Sequence, residues 1–507
     1  MTIIGKRFVR NSRPNNFSLD VFPSPCLCHC KNQRSGRFPL HRVPARLTRH
    51  PTRKNLELSE AVSPDGIQNN RANLSVVQGR VRPEAVLPTK ASTRLALVAK
   101  DRPSYAYRPI PNPLLSGWRA LSIFSGCGGM DIGFLQEGVF SKQAVDIDQI
   151  SLKTYEKNLF DVTSQADLSL CLPVETDSQI LLAGAPCQGF STAGKRRLAD
   201  PRNALLMRVA DVALANKSKV VVVENVPAAL SGEHRHLWLS LEDRLRMAGY
   251  NVRRLLLEGE KCGLAQRRRR LFLVCWKGSD CINLNIENLG AIALKQALEG
   301  LPDTFGLDRD WPKPEGKDAK IIKHIKPGQK MSNVRLSDRA VPTWDIPEVF
   351  GLVSDYDKDV LRAVARLRRR ERVRSTGDGD PVSLERINKF LGRKSKRAIL
   401  NLTKRGFLRE VGEMYELAQT YNGRYRRLNW DDLSPTVDTR FGRADLFVHP
   451  DEDRGFTARE AARIQGFPDG FEFCGSKKDQ FTQIGNAVPP PMAAALAAFI
   501  REAILKA

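Results

Sequence analysis

The chain has 507 residues, and 81 Lys and Arg against 56 Asp and Glu give it a formal net charge of +25. It is too long for one compact core, which indicates two or three domains, and it holds no charge-free run of 18 apolar residues that would predict a membrane span. The charge favours nucleic acid as a partner but also fits a solvated basic surface, and ten irregularly spaced cysteines exclude a disulfide framework and fit a reducing compartment.

Residues 1–112 form a basic segment with weak hydrophobic periodicity, which we expect to be mostly disordered. Residues 1–110 hold 20 Lys and Arg against 6 Asp and Glu. No secretory signal pattern is present, and a basic arm on DNA, a transit-type targeting segment and translated sequence upstream of the true start all stay open. Residues 26–30 read Cys-Leu-Cys-His-Cys, but they lack ordinary zinc spacing, so we predict no metal site.

Residues 113–284 alternate between strand and helix patterns. Strands are predicted at 118–124, 142–147, 179–185, 219–223 and 271–276, and helices at 204–216 and 237–248. This alternation predicts an α/β fold with a doubly wound, mostly parallel, Rossmann-like sheet. Ligands of such sheets bind beyond the carboxyl ends of the strands, so we expect the chemistry there.

Residues 285–420 lose this alternation and become more basic. Helices are predicted at 360–372, at 383–391 with Ser383 as the cap, and at 394–404 with Leu400 on the apolar face, followed by a β-hairpin formed by 406–411 and 414–417. Helix, turn, helix and hairpin make a winged-helix pattern, whose basic second helix could enter a major groove. An ordinary helical insert with solvated lysines is equally compatible.

A glycine-rich turn follows the first predicted strand. It comprises Phe124, Ser125, Gly126, Cys127, Gly128 and Gly129. Such a turn lets the backbone approach a ligand, but dinucleotide and adenosyl cofactor folds share it. The next strand ends at Asp146-Ile147-Asp148, where an acidic side chain often binds ribose hydroxyls. These residues fit NAD, an adenosyl group or a plain solvated strand end.

Two further strand ends carry reactive groups. Cys187, within Pro186-Cys187-Gln188, is placed as a nucleophile, although a lone cysteine is usually a small buried hydrophobe. Glu224 closes the valine strand, where burial would raise its pKa as a general acid requires, and a plain ion pair is the alternative. The arginine run 267–270 is placed to bind phosphate and a base edge, or is a solvated patch.

Together these motifs, with Gln483-Ile484-Gly485-Asn486-Ala487-Val488 near the C-terminus, closely resemble the DNA (cytosine-5) methyltransferase family. The resemblance covers about 117–280 and 421–505, with the motifs in the family's order. It implies that S-adenosylmethionine is the cofactor, that no metal is needed, that residues 285–420 recognise the target, and that 421–507 completes the catalytic domain.

The resemblance also assigns residues. The glycine-rich turn would form the cofactor loop, Asp146 would bind the ribose, Asp167 would meet the adenine amino group, and the Asn486 loop would close over the cofactor. Asp146 and Ile147 depart mildly from the family, which often has glutamate and an aromatic residue there. The implied sets are, for cofactor, also Pro186 and Ala487; for DNA, Gln188, Ser191, Lys195, Arg196, Arg197, Gln266 and Thr436; and for catalysis, Cys187, Glu224, Arg268 and Arg270.

The implied reaction is methylation of a flipped-out cytosine through a covalent Cys187 adduct, with double-stranded DNA as the partner. The basic segment 194–203 would act as a lid on DNA. We expect a monomer on DNA in the bacterial cytoplasm, typical of a restriction–modification system whose endonuclease would be a separate protein. An RNA cytosine methyltransferase and a catalytically idle DNA-binding regulator are the alternatives, and the strand-end motifs do not support an NAD-dependent enzyme.

Overall fold

The computed structural model describes residues 117–173, 178–186, 204–232, 235–278, 286–301, 313–374 and 379–502. The basic segment 1–112, with its cysteine-rich stretch at 26–30, lies outside the described residues. Within the described ranges, no helix is both long and apolar enough to cross a membrane.

A seven-stranded mixed sheet is the largest sheet among the described residues. Its strands are β1 (Arg119–Ile123), β2 (Phe140–Asp146), β3 (Thr163–Gln165), β4 (Ile180–Ala183), β5 (Val220–Asn225), β6 (Asn251–Glu258) and β7 (Arg269–Trp276), in the order β3-β2-β1-β4-β5-β7-β6. The first five strands in this order are parallel to one another, and β7 runs antiparallel to both β5 and β6. The predicted doubly wound α/β sheet is confirmed.

Helices cover both faces of this sheet. The first four are α1 (Gly129–Gln136), α2 (Gln149–Asn158), α3 (Leu205–Ala215) and α4 (Arg235–Met247). Val221 and Val223 pack into the apolar cluster that contains α3 and α4, whereas Val220 and Val222 pack into a cluster on the opposite face. Burial on both faces explains why β5 is an unbroken run of valines.

Residues 286–448 add a smaller region. It contains the helices α5 (Leu294–Leu298), α6 (Gly316–Lys323), α7 (Pro347–Phe350), α8 (Asp355–Arg370), α9 (Leu384–Leu391) and α10 (Lys396–Lys404), and the strands β8 (Lys330–Ser332), β9 (Ala340–Val341), β10 (Val382–Ser383), β11 (Leu408–Val411), β12 (Met414–Leu417), β13 (Asn422–Arg424), β14 (Arg426–Arg427) and β15 (Phe447–Val448). A small sheet has the order β13-β8-β9. Residues just after 420 therefore pair with the region that precedes them.

The predicted winged-helix pattern is present as a module of α8, α9 and α10 with the antiparallel sheet β10-β12-β11. The Ser383 hydroxyl caps α9 by accepting a hydrogen bond from the Arg386 N–H (3.4 Å), as expected. The expectation for Leu400 was wrong, because this side chain is 47% exposed. The apolar face of α10 is formed by Ala398, Ile399 and Leu402, which are buried against α8 and the sheet.

Three C-terminal helices, α11 (Ala458–Ile464), α12 (Lys477–Asn486) and α13 (Pro490–Ile500), return to the central sheet. Helix α13 packs directly on α1 at Gly133, where a Cβ would lie 2.5 Å from the Ala493 Cβ. Only glycine permits this approach. Strand β1, helix α1 and helix α13 are thus parts of one core.

Candidate active site

The glycine-rich turn leaves β1 with a strained backbone. Phe124 has φ +51°, and Gly126 and Gly128 have φ +53° and +91°. The turn is bound to the neighbouring strand, since the Ser125 N–H donates to the Val145 carbonyl (3.1 Å) and the Gly126 N–H donates to Asp146 Oδ2 (2.8 Å). A left-handed non-glycine residue costs about 1–3 kcal/mol, and such strain clusters at ligand sites.

The two acidic residues at the end of β2 have different roles. Asp148 caps α2, because its carboxylate accepts from the Ile150 N–H (3.2 Å) and the Ser151 hydroxyl (2.6 Å). Asp146 instead faces the glycine-rich turn and also accepts from the Asp148 N–H (2.9 Å). Burial raises the pKa of Asp146 although these hydrogen bonds oppose it. Asp146 is therefore the acid that the fold places beside the turn.

Further groups at the carboxyl ends of β1, β2 and β3 have the chemistry to hold an adenosyl group. The Ser125 hydroxyl is buried and makes no hydrogen bond to any described residue, and the position where a Gly126 Cβ would lie is open space. Ile147 is 63% exposed directly after Asp146, and Asp167 follows the adjacent strand β3. The Ser169 N–H (2.8 Å) lowers the pKa of Asp167 and keeps its carboxylate ionised. Acids for hydroxyl and amino groups and an apolar side chain for a ring are thus present together.

The cysteine within the turn, Cys127, is not available as a nucleophile. Cys127 is 2% exposed, its sulfur lies 3.9 Å from the Gln483 carbonyl oxygen, and burial raises its pKa to about 12. A ligand could therefore meet the backbone of Cys127 but not its thiol. Gly128 and Gly129 are likewise required by packing, since a Cβ would meet Leu159 at 2.6 Å and the Val488 carbonyl oxygen at 2.5 Å.

A buried ion pair occupies the end of β5. Arg270 Nε lies 2.8 Å from Glu224 Oε1, and the two side chains are 13% and 10% exposed. Because β7 is antiparallel to β5, its first residues lie beside the last residues of β5, with Leu271 opposite Asn225. Burial raises the pKa of Glu224, and the charges of Arg270 and Arg268 do not cancel this effect. A carboxyl with a raised pKa at a strand end can serve as a proton donor.

The next residue, Asn225, fixes the neighbouring strand end. Its side chain is fully buried, donates to the Ala185 carbonyl (3.4 Å) and accepts from the Val226 N–H (2.9 Å). It thereby holds the backbone that leads to Pro186. Cys187, Gln188, Ser191, Lys195, Arg196, Arg197 and the whole segment 194–203 expected to act as a lid lie outside the described residues.

The Arg268 side chain is buried and binds backbone carbonyl groups of the C-terminal segment. It is fully buried and donates to the backbone carbonyls of Val437 (2.8 Å), Gly485 (3.0 Å) and Ala487 (2.9 Å). These bonds attach the C-terminal segment, where Asn486 is exposed, to the start of β7. Arg268 thus acts by positioning that loop and is not a phosphate-binding member of the arginine run.

Gln266 does not have the free side chain that a DNA contact requires, so that expectation was wrong. It is fully buried, donates to the Ile464 carbonyl (3.1 Å) and to Gln465 Oε1 (2.7 Å), and accepts from the Val437 N–H (3.1 Å). Thr436 is half-buried beside it, and its hydroxyl donates to the Arg267 carbonyl (2.7 Å).

Sequence reasoning missed Gln465, which completes this buried network. Its amide donates to the Ile484 carbonyl (3.0 Å) and the Ala487 carbonyl (2.9 Å). The only sequence signal is an amide among the apolar residues that surround α11. The partners come from distant segments, which no local pattern reveals.

Comparison with known proteins identifies a family model, curated relatives and solved structures that are similar to this chain. Residues 118–502 match the family model described as C-5 cytosine-specific DNA methylase. The chain is 29% identical to Type II methyltransferase M.XorII of Xanthomonas oryzae (76% of this chain, 85% of the relative) and 27% identical to Type II methyltransferase M.AgeI of Thalassovita gelatinovora (76% and 100%). Among solved structures, it is similar to the Entamoeba histolytica methyltransferase EhMeth, with a TM-score of 0.43 and 14% identity over 76% of this chain and 98% of that one.

Proposed function

Because the chain belongs to the C-5 cytosine-specific DNA methylase family and is thus a DNA (cytosine-5) methyltransferase, we propose that it methylates C5 of a flipped-out cytosine in a specific duplex sequence through a covalent Cys187 adduct. The observation that supports this proposal most directly is the buried Glu224–Arg270 pair. It provides a carboxyl with a raised pKa one strand away from the segment that leads to Cys187.

C5 of cytosine is a poor nucleophile, and the protein must activate the ring. The Cys187 thiolate forms a bond to C6 while the Glu224 carboxyl donates its proton, or a hydrogen bond, to N3, so the electron pair is shared between N3 and C5. After C5 has taken the methyl group, a base removes the C5 proton. The electrons of the C5–H bond restore the double bond, Cys187 leaves as thiolate, and N3 returns its proton.

Arg270 orients Glu224 and, at 13% side-chain exposure, can also reach a bound base. Its charge partly opposes the rise of the Glu224 pKa caused by burial. The Glu224 carboxyl can therefore carry the proton that N3 receives and can also exist in its ionised form. Arg268 positions the loop around Asn486 and does not touch the base.

S-Adenosylmethionine is the proposed cofactor, and the residues beside β1 and β2 fit it. Asp146 would hold the ribose, Asp167 the adenine amino group, and Ile147 would cover the ring, while the turn at Phe124–Gly129 passes close to the rest. When bound, this cofactor supplies a methyl group on a sulfonium sulfur, which is electrophilic enough for the activated C5.

The net charge of +25 supports double-stranded DNA as the substrate, since phosphate neutralisation supplies most of the non-specific affinity. Extrusion of the cytosine costs a few kcal/mol of stacking, which phosphate contacts offset. Relatives named as Type II methyltransferases support a role as the modification enzyme of a restriction–modification system, with any endonuclease a separate protein. We propose that residues 285–420 recognise the target and that the catalytic part comprises 113–284 and 421–507.

The test is methylation in a host that lacks its own cytosine methylation. Wild type, Cys187→Ala and the control Cys474→Ala, whose half-buried thiol lies outside the proposed site, are expressed and 5-methylcytosine is mapped by bisulfite sequencing. We expect one short motif to be marked by wild type and Cys474→Ala but not by Cys187→Ala. Equal marking by Cys187→Ala would refute the nucleophile, and absence of marking by wild type would direct attention to RNA or to a regulatory role.

A further inference from the structure

Helix α10 of the winged-helix module presents one continuous exposed face. The face, here called the α10 face, consists of Lys396, Arg397, Leu400, Asn401 and Lys404. These residues recur with the spacing of a helix, and the opposite side of α10 is buried in the core of the module. The α10 face contains three cations, one amide and one apolar side chain, and no acid.

Three other arginines of the module, unlike the cations of the α10 face, have carboxylate partners. Arg386 pairs with Glu371 (2.6 Å), Arg393 with Asp359 (3.2 Å) and Arg405 with Asp357 (3.9 Å). Among the described residues, no carboxylate lies within ion-pair distance of the cations of the α10 face. A cluster of like charges without internal compensation favours a polyanionic partner.

We propose that α10 enters the major groove and that Arg397 and Asn401 read base edges. This inference rests on the proposed function only for its choice of duplex DNA as the ligand. The two residues are one helical turn apart and so separated by roughly 6 Å along the axis, which corresponds to about two base pairs at 3.4 Å each. Arginine matches the two acceptors of guanine and asparagine the acceptor and donor of adenine, while Leu400 offers an apolar contact to a thymine methyl group.

The remaining surfaces of the module are less suited to base reading. The β11–β12 hairpin carries Glu410 and Glu413, which phosphates repel, beside the exposed Val411 and Met414. Helix α8 lines an open cleft of about 880 Å³ with Arg362, Arg366, Arg369 and Arg370. Those guanidinium groups suit phosphates, but the α8 residues of the cleft include no amide. Helix α9 also has an amide, but Asn388 is half-buried and its side-chain oxygen accepts hydrogen bonds from the Ser395 N–H (2.7 Å) and the Ser395 hydroxyl (2.7 Å). The α10 face instead combines its cations with an exposed amide.

Selection of bound duplexes from a random library, with the full-length chain as the binder, tests the inference. We expect wild type to select one motif. Asn401→Ala should lose the preference at one position and Arg397→Ala at another about two base pairs away, whereas the control Lys389→Ala, an exposed cation on α9, should select the wild-type motif. Lys404→Ala should select the same motif, and the slope of log K against the logarithm of the salt concentration should become shallower by about one.

Arg397→Lys separates reading from simple charge, because lysine keeps the charge but loses the planar fork. Loss of one position in this variant supports the inference, and an unchanged motif in Arg397→Lys, Arg397→Ala and Asn401→Ala overturns it, as does a wild type that selects no motif. Thermal unfolding confirms that the variants fold. Selection measures binding alone. If wild type selects a motif but methylates no DNA in the host, the proposed function is refuted and this inference stands.

Discussion

Arg270 Nε lies 2.8 Å from Glu224 Oε1 because β7 runs antiparallel to β5 and brings its first residues to the carboxyl end of the parallel strands. A parallel β7 would place Arg270 at the opposite ends of the strands. The reversed direction of β7 therefore brings a cation to the carboxyl ends of the parallel strands, where the acids and the segment leading to Cys187 lie. The pair links the topology of the sheet directly to the proton transfer that we propose.

Replacement of Glu224 by Gln should reduce the rate of methyl transfer by roughly 100-fold to 10,000-fold, the usual contribution of a general acid, with a smaller effect on DNA affinity. Burial raises the pKa of Glu224 above its ordinary value of 4.5, so the protonated form persists to higher pH than for a free carboxyl. Turnover by wild type should therefore fall as the pH rises through this raised pKa. Single-turnover rates across pH measure this limb, and its persistence in Glu224→Gln would exclude Glu224 as the acid.

Replacement of Arg270 by Met should move the same limb towards higher pH. The Arg270 charge lowers the pKa of Glu224 against the larger effect of burial, so its removal lets burial act unopposed except by Arg268. The matched control is Arg269→Met, because Arg269 is exposed and its ion-pair distance to Glu258 is 3.6 Å. If both variants shift the limb equally, or neither does, the two groups are not coupled as the distance implies.

Gln266 provides a test of the corrected assignment. Gln266→Ala removes an amide with three buried partners and should lower the free energy of unfolding by about 1–3 kcal/mol, because those groups lose their hydrogen bonds. The DNA affinity of the folded protein should stay the same. Urea unfolding and duplex binding measure the two effects, with the exposed neighbour substitution Arg267→Ala expected to change stability by less than about 0.5 kcal/mol. Weaker DNA binding at unchanged stability would restore the original expectation.

Most strands of the seven-stranded sheet could be predicted from the sequence, because burial on both faces requires continuous apolar strands such as β5. Strand β6 escaped detection, since Arg253 and Arg254 are exposed on this edge strand and interrupt the apolar pattern. Leu400 was assigned to the wrong side of its helix because hydrophobicity alone does not reveal which apolar residues face the core.

The network around Gln266 was also invisible, since its partners lie in segments distant along the chain. Sequence places a glutamine beside four arginines, which resembles a solvated basic patch. Their exposure alternates in the structure: Arg267 and Arg269 are exposed, Arg268 is fully buried, and Arg270 is largely buried. Pairing with the distant segment around Ser434 sets this alternation, because the Arg267 N–H donates to the Ser434 carbonyl (2.8 Å).

The covalent adduct can be trapped with a duplex that carries 5-fluorocytosine at the target position. Release of Cys187 requires removal of the C5 substituent as a cation, which a proton permits and fluorine does not, so the bond between sulfur and C6 should survive denaturing electrophoresis. Wild type and Cys474→Ala should form this complex with cofactor present, and Cys187→Ala should not. Cys127, Cys262 and Cys275 should not substitute for Cys187, because burial raises the pKa of each thiol and keeps it protonated. A trapped complex in Cys187→Ala would show that another group attacks C6, and digestion of the complex followed by mass spectrometry would identify it.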